Sequence, residues 1–433
     1  MYATELRKEI TSEIDRIEIV DPHTHMREDQ LGSHVVDILS YHWILSELYS
    51  VGLDYEAVFT NQQLDLEIRL KSIIPYLSKM RNTATVRCVY NIFRDLYGFD
   101  SELTEANYQR LLDTSLKYSS QSGWTDTVFK KANLKSFATS VGNASQSGRE
   151  RSDFRLMVDL HYLFWPTGAT DLLPWFGEFA GDPTCYVESL EKIGGNSIAT
   201  AGDIKKAIYS FIQGVYQGRV KFFNTFVPIE FRFRKVDAFA AEQALLSFKK
   251  ANGQSPADLE VLVAYVTWLI LEVLNEYGAT LQIAVGAEYF ICGGRSVSRF
   301  ESTWVSDMVK ICYTFPNIKF DFMNASAVME HEMAVAAKMI RNFYIQNMWW
   351  HTYVPSRINS LYERLEIVPA VKLGGFYCDA YYCELTYGKL MMVKDTVIDV
   401  LCRKVENKIY TVEYALEIAH LLLYENPHTL YHI

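Results

Sequence analysis

Eight short apolar runs, each followed by a stretch of helical character, constrain this chain more than any other feature. They are IEIVD at 17–21, LKSFATS at 134–140, FRLMVDLHYLF at 154–164, RVKFFNTFV at 219–227, TLQIAVG at 280–286, IKFDFM at 318–323, NFYIQN at 342–347 and KLGGFYC at 372–378. Strands that are apolar along nearly their whole length belong in a parallel sheet covered on both faces. Runs with helical patterning lie between them, at 238–251, 258–277, 330–341 and 357–365. Eight parallel strands is the number that closes a (β/α)8 TIM barrel. An open, doubly wound sheet is the structural rival. It would carry a glycine-rich phosphate turn after strand one, where this chain has Asp21-Pro22-His23.

The chain is expected to form a single barrel domain over 1–433, with a helix at about 2–16 ahead of strand one. From Val35 to Gly98 apolar residues recur at helical spacing, as in DILSYHWILSELYSV and LEIRLKSIIPYLSKM, and helices continue to about Gln121. The segment 35–121 is therefore expected to be a helical cap inserted over the barrel mouth. The most apolar stretch, Leu259 to Leu274, is sixteen residues long with a glutamate near each end. A membrane helix needs about 20 apolar residues, so this one is expected to be a buried barrel helix. With no apolar leader in sight, a soluble cytoplasmic protein is expected.

A net charge of -10 argues against a general nucleic-acid binder, which needs clustered Lys and Arg. The one basic run, FRFRK at 231–235, is short and is expected to be a solvated loop. Seven scattered cysteines do not make a disulfide framework and are expected to be free thiols in a reducing compartment. The 28 tyrosines and 24 phenylalanines suit a deep, partly wet pocket for a small molecule.

Chemistry enters at the end of strand one. Pro22 has no N–H to give to a ladder, so the strand is expected to stop there, placing His23 and His25 just past it. Residues two apart in an extended backbone project to the same side, so both imidazoles can reach one cation. A barrel closes strand eight against strand one, which brings Asp379, at the end of KLGGFYC, to the same place. Two histidines and a carboxylate with an open position make a catalytic metal site. The competing structural roles are two polar loop residues for the histidines and a helix N-cap for Asp379.

The motif DPHTH at 21–25, with Asp379 after strand eight, resembles the amidohydrolase superfamily. Within it the chain looks most like the uronate (glucuronate) isomerase branch and its relatives. The segments that carry this likeness are DILSYHWILSELYSVG (37–52), PNIKFDFMNAS (316–326), MWWHTYVPSRI (348–358) and the stretch 368–427. The resemblance implies a (β/α)8 barrel, one divalent metal ion, commonly zinc, and aldose–ketose isomerisation of a sugar acid. It also implies that His42, Trp349 and Trp350 contact the substrate and that Arg357 binds its carboxylate. Three positions depart from the pattern. Leu45-Ser46 stands in place of a Trp-Arg pair, Ala284 in place of a strand-five histidine, and Asn324 in place of one after strand six. The missing histidines imply a mononuclear site.

Lys221 on strand four occupies a position where some superfamily members carry a metal-bridging carbamylated lysine. Here it is expected to be a plain ammonium on a substrate anion or oxygen, or else part of a structural ion pair. His351, beside the tryptophan pair, is expected to touch substrate or to support residues that do; His161, at a strand end, could face the mouth but is expected to be a core or rim residue. In the leading hypothesis His23, His25 and Asp379 hold the ion, and Asp379 or a metal-activated water moves a proton between adjacent carbons. Arg357, Lys221 and His42 then hold an anionic small-molecule substrate, Arg357 by a fork of two hydrogen bonds. Hydrolysis, deamination or decarboxylation at the same centre is the alternative, since one fold supports many reactions. A barrel that binds without turnover is a third, and a homo-oligomer is compatible with all of them.

Overall fold

Eight parallel strands lie side by side in chain order in the computed structural model: β1 (Ile19–Thr24), β2 (Leu134–Ser140), β3 (Phe154–Asp159), β4 (Val220–Phe226), β5 (Thr280–Val285), β6 (Lys319–Asn324), β7 (Phe343–Gln346) and β8 (Leu373–Gly374). Each pairs in parallel with the next. The structure describes residues 2–28, 30–54, 58, 64–140, 152–167, 182–216, 220–289 and 296–433. All eight expected runs are strands, and with helices between them they form the (β/α)8 barrel.

The seam between β8 and β1 is irregular, and the irregularity matters. The N–H of Asp379 donates to the carbonyl of His23 at 2.9 Å, and the N–H of His25 donates to the carbonyl of Ala380 at 2.8 Å. In a regular parallel ladder a single residue would make both bonds opposite Thr24. Two residues share them here, as in a bulge, and Asp379 adopts a left-handed φ of 51° to allow it.

β1 departs from the expected end at Pro22. It continues to Thr24, so His23 lies within the strand and only His25 lies past it. The reason is a second irregularity. Asp21 pairs with Phe137 and Thr24 with Thr139, so three steps of β1 oppose two of β2, and Pro22 falls in the extra length. β3 is shorter than its apolar run. The Leu160 N–H still donates to the Asn224 carbonyl, but Leu163 and Phe164 then donate back to Leu160, turning His161–Phe164 into one helical turn. At β8, a Cβ on Gly374 would land on the side-chain amide of Gln346, so only glycine lets the two strands pack at this point.

Among the described residues six α-helices separate β1 from β2: Val35–Leu39, His42–Ser50, Leu66–Leu77, Ala84–Tyr97, Tyr108–Ser119 and Trp124–Ala132. The helical stretch thus reaches Ala132, past the expected 121. Asp65 and Thr83 cap two of these helices with side-chain oxygens, and their buried faces join the same hydrophobic core as the strands. Helices Ala238–Lys250, Pro256–Tyr277, Glu330–Met339 and Ile358–Ile367 fall close to where periodicity puts them. Pro256–Tyr277 is the apolar helix, and most of it is buried; among the described residues no helix is long and apolar enough to cross a membrane. The helix Asn426–Tyr431 lies under the barrel. The carbonyl of Leu430 accepts from Thr280, the first residue of β5, at 2.6 Å, and the Tyr431 ring packs on Phe222 of β4 at 4.4 Å.

The basic run at 231–235 is not simply solvated. Arg232 pairs with Glu301 and Asp307, Arg234 pairs with Glu260, and both phenylalanines pack on Phe164. The six described cysteines are free; Cys292 lies outside the described residues.

Candidate metal centre at the barrel mouth

The two irregularities at β1 set the geometry of its histidines. The Nε2 atoms of His23 and His25 lie 3.3 and 3.0 Å from the same Asp379 oxygen, Oδ1. The three donor atoms are all within 4.8 Å of one another. The two imidazoles stand edge to face, 86° apart, so they approach the common point from different directions.

Asp379 is not a helix cap. The next helix, Cys383–Glu406, starts four residues later behind Tyr382. Its left-handed backbone is held instead by a buried lysine. Lys389 donates to the Cys378 carbonyl at 2.6 Å and to the Tyr41 hydroxyl at 2.9 Å, while that hydroxyl donates to the Asp379 carbonyl. The ammonium is caged by the rings of Tyr41, Trp43 and Tyr353, at 4.7, 5.0 and 5.2 Å. Burial lowers its pKa, and the charge of Asp379 opposes that.

Protonation fits a cation site. Burial alone would raise the Asp379 carboxyl, but hydrogen bonds and charge from His23 and His25 in their protonated form hold it well below the usual range. His23 turns its other nitrogen, Nδ1, to Oε1 of Gln282 at 2.5 Å, leaving Nε2 to face Asp379. Two imidazole nitrogens and one ionised carboxylate form the donor set of a mononuclear divalent site. Ala284, next to last in β5, has no donor side chain, and Asn324 folds back on Ser326 through bonds of 2.6 and 2.8 Å.

Aromatic side chains wall the mouth. His42 opens the helix His42–Ser50, with its ring 4.9 Å from Trp350 and 5.7 Å from Tyr381. Burial lowers its pKa to about 3, so it is neutral at physiological pH. Tyr381 also faces His25, at 5.3 Å. Trp350 has a left-handed φ of 47° and turns toward His42; Trp349 turns the other way, onto Phe226 at the end of β4. Trp349 is buried, and its indole N–H has no hydrogen-bond partner among the described residues.

The remaining expected residues are less central. His351 shares a hydrogen bond of 2.8 Å with Ser296, and burial lowers its pKa to about 4. Arg357 pairs with Glu330, a carboxylate it shares with Ser360. Lys221 is on β4, but its side chain lies outside the described residues. His161 opens the turn after β3, 6.4 Å from Phe226.

One carboxylate was missed by sequence reasoning. Asp159 is the last residue of β3, buried, and accepts from Asn224 at 2.6 Å. Burial raises its pKa, but the charges of His161 and His25 and hydrogen bonds from Ser140 and Asn224 outweigh that and hold it low. The signal was the one that picked out Asp379, an acid at the C-terminal end of a barrel strand. Tyr41, Lys389, Gln282 and Tyr381 carried no such signal, because they read as ordinary helix, strand and loop residues.

No protein-family model and no curated protein matches the sequence. Solved structures do share the fold. A uronate isomerase from Bacillus halodurans superimposes with a TM-score of 0.77 at 16% identity, over 99% of this chain and 97% of that one. The glucuronate isomerase of Caulobacter crescentus gives 0.84 at 15%, over 99% and 94%. A Lactobacillus casei protein named as a candidate metal-dependent hydrolase gives 0.62 at 12%, over 98% and 97%. At such identities the likeness establishes the architecture.

Proposed function

We propose that this protein is a metal-dependent isomerase that interconverts the aldose and ketose forms of a small sugar acid. The observation that carries it is the convergence of His23, His25 and Asp379 at the mouth of a barrel shared with uronate isomerases. These three residues would hold one divalent ion, zinc by the chemistry of the donor set, which supplies a Lewis acid for the sugar carbonyl and its neighbouring hydroxyl.

Isomerisation moves one proton from C2 to C1 and another from a hydroxyl to the carbonyl oxygen, so the protein must supply a proton carrier. Asp379 is one candidate, but both histidines already converge on its Oδ1. A carboxylate committed to a cation is a weak base. Asp159, ionised and within the electrostatic reach of His25, is the better carrier. Neutral His42 can both donate to and accept from sugar hydroxyls. Trp350 and Tyr381 crowd its ring and shield the reacting carbons from water. Lys221 and Arg357 are the cations for the substrate carboxylate, Arg357 by exchanging Glu330 for it. A reducing cytoplasm suits the free cysteines.

The likeness to the Lactobacillus casei protein supports a second reading, metal-dependent hydrolysis, deamination or decarboxylation of a small carboxylate-bearing substrate at the same centre. The two readings separate in deuterated water. Metal-loaded protein incubated with a panel of uronates is expected to form ketose and exchange the C2 proton of at least one. Turnover of amides or amines with no exchange on any uronate would replace the isomerase reading with the second.

A further inference from the structure

Behind the metal centre a buried chain of hydrogen bonds crosses the barrel interior. His23 Nδ1 meets Oε1 of Gln282 on β5 at 2.5 Å, and Nε2 of that amide donates to the Tyr431 hydroxyl at 2.9 Å. Tyr431 donates in turn to Oδ2 of Asp321 on β6. The same carboxylate accepts from Tyr377 at 3.0 Å and from the Gln346 amide. His23, Gln282, Tyr431, Tyr377 and Asp321 are all buried. Burial pushes the Asp321 carboxyl up to about 6, and donation from Tyr431, Gln346 and Tyr377 keeps it from rising further.

This chain has a direction. An ionised carboxylate accepts and never donates, so Asp321 claims the single proton of Tyr431. The Tyr431 oxygen is then left to accept, from the NH2 end of Gln282 at 2.9 Å and from the Tyr377 hydroxyl, also at 2.9 Å, whenever that hydroxyl's proton is not given to Asp321. Donation from the amide turns the carbonyl end of Gln282 toward His23, where it accepts from an N–H. A flipped amide would need the same Tyr431 proton and would strip a charge-assisted bond from a buried carboxylate. We infer that Asp321 and Tyr431 are positioning residues which, by fixing the orientation of Gln282, place the His23 proton on Nδ1 and leave Nε2 open toward the metal centre. Both lie on the far side of His23 from the barrel mouth, and neither touches a ligand-binding group directly. The inference draws on the proposed metal site only for its affinity readout.

The test compares variants of the full chain. In metal-free protein labelled with 15N-histidine at alkaline pH, long-range 1H–15N correlations are expected to show native His23 as the Nδ1–H tautomer. Tyr431→Phe and Gln282→Leu are expected to shift it toward Nε2–H and to weaken Co2+ binding by roughly 10–100-fold. Tyr377→Phe removes a hydroxyl that bonds to the same carboxylate and to Tyr431, but leaves the Tyr431–Gln282 and Tyr431–Asp321 bonds intact, so it is expected to leave the tautomer unchanged. Gln282→Glu, an acceptor only, is expected to keep Nδ1–H. An unchanged tautomer in both Tyr431→Phe and Gln282→Leu, or an equal shift in Tyr377→Phe, would overturn the inference. Native protein that takes up no Co2+ would sink the metal reading instead, while the tautomer comparison would still decide this one.

Discussion

Lys389 donates a 2.6 Å hydrogen bond to the backbone carbonyl of Cys378, the residue immediately before the carboxylate that completes the metal centre. A buried ammonium is costly, and this one spends its protons on the seam where β8 closes on β1. The seam is irregular, and Asp379 takes its left-handed backbone there. The lysine and Tyr41 hold that geometry through the carbonyls of Cys378 and Asp379.

Replacing Lys389 with Met keeps the volume inside the aromatic cage and deletes the donors. The Cys378 carbonyl is left buried without that bond, and the expected loss of stability is about 1–3 kcal/mol by chemical denaturation. Metal affinity should fall as well, because Asp379 is no longer held. A variant as stable as the native protein and with native affinity would show that the clamp is dispensable.

Asp159 and Asp379 should separate cleanly. Asp159→Asn is expected to retain the metal and lose turnover by about 10²–10⁴-fold, the usual range for a positioned proton carrier. Asp379→Asn is expected to lose the metal itself. Metal content by elemental analysis, measured beside kcat, checks both. Full activity in Asp159→Asn would return the proton-carrying role to Asp379.

Acid should destabilise the fold partly through His351. Its folded pKa is lowered to about 4 from the ordinary 6.5, so the unfolded chain binds the proton first. The sign follows directly: its contribution is fully present above about 6.5 and is lost as pH falls toward about 4. Asp21 and Asp321, both pushed up to about 6, act in the opposite direction, since the folded state holds their protons more tightly over the range below that value. His351→Asn, which can still bond to Ser296, is therefore expected to lose less stability than the native protein between neutral and mildly acidic pH. Denaturation midpoints at the two pH values measure it, and equal losses would contradict the assignment.

Much of the fold was legible because barrel strands are buried on both faces and stand out as apolar runs between helices. The ends of β1, β3 and β8 were not, since they depend on bulges and turns that answer to neighbouring strands. Pro22 stops a regular strand, and only the extra residue taken up against β2 lets β1 continue through it. His23, His25 and Asp379 were readable because strand ends and barrel closure are general properties of the fold. Asp159 could have been found by the same rule. Gln282, Tyr431 and Lys389 could not, since their roles arise from partners 149, 259, 348 and 11 residues away.

The central claim is that His23, His25 and Asp379 bind one divalent ion together, and equilibrium dialysis against Zn2+ tests it most directly. Native protein is expected to bind one tight equivalent per chain, and His25→Ala to lose it while remaining folded by circular dichroism. Undiminished, equally tight binding in His25→Ala would place the ion elsewhere.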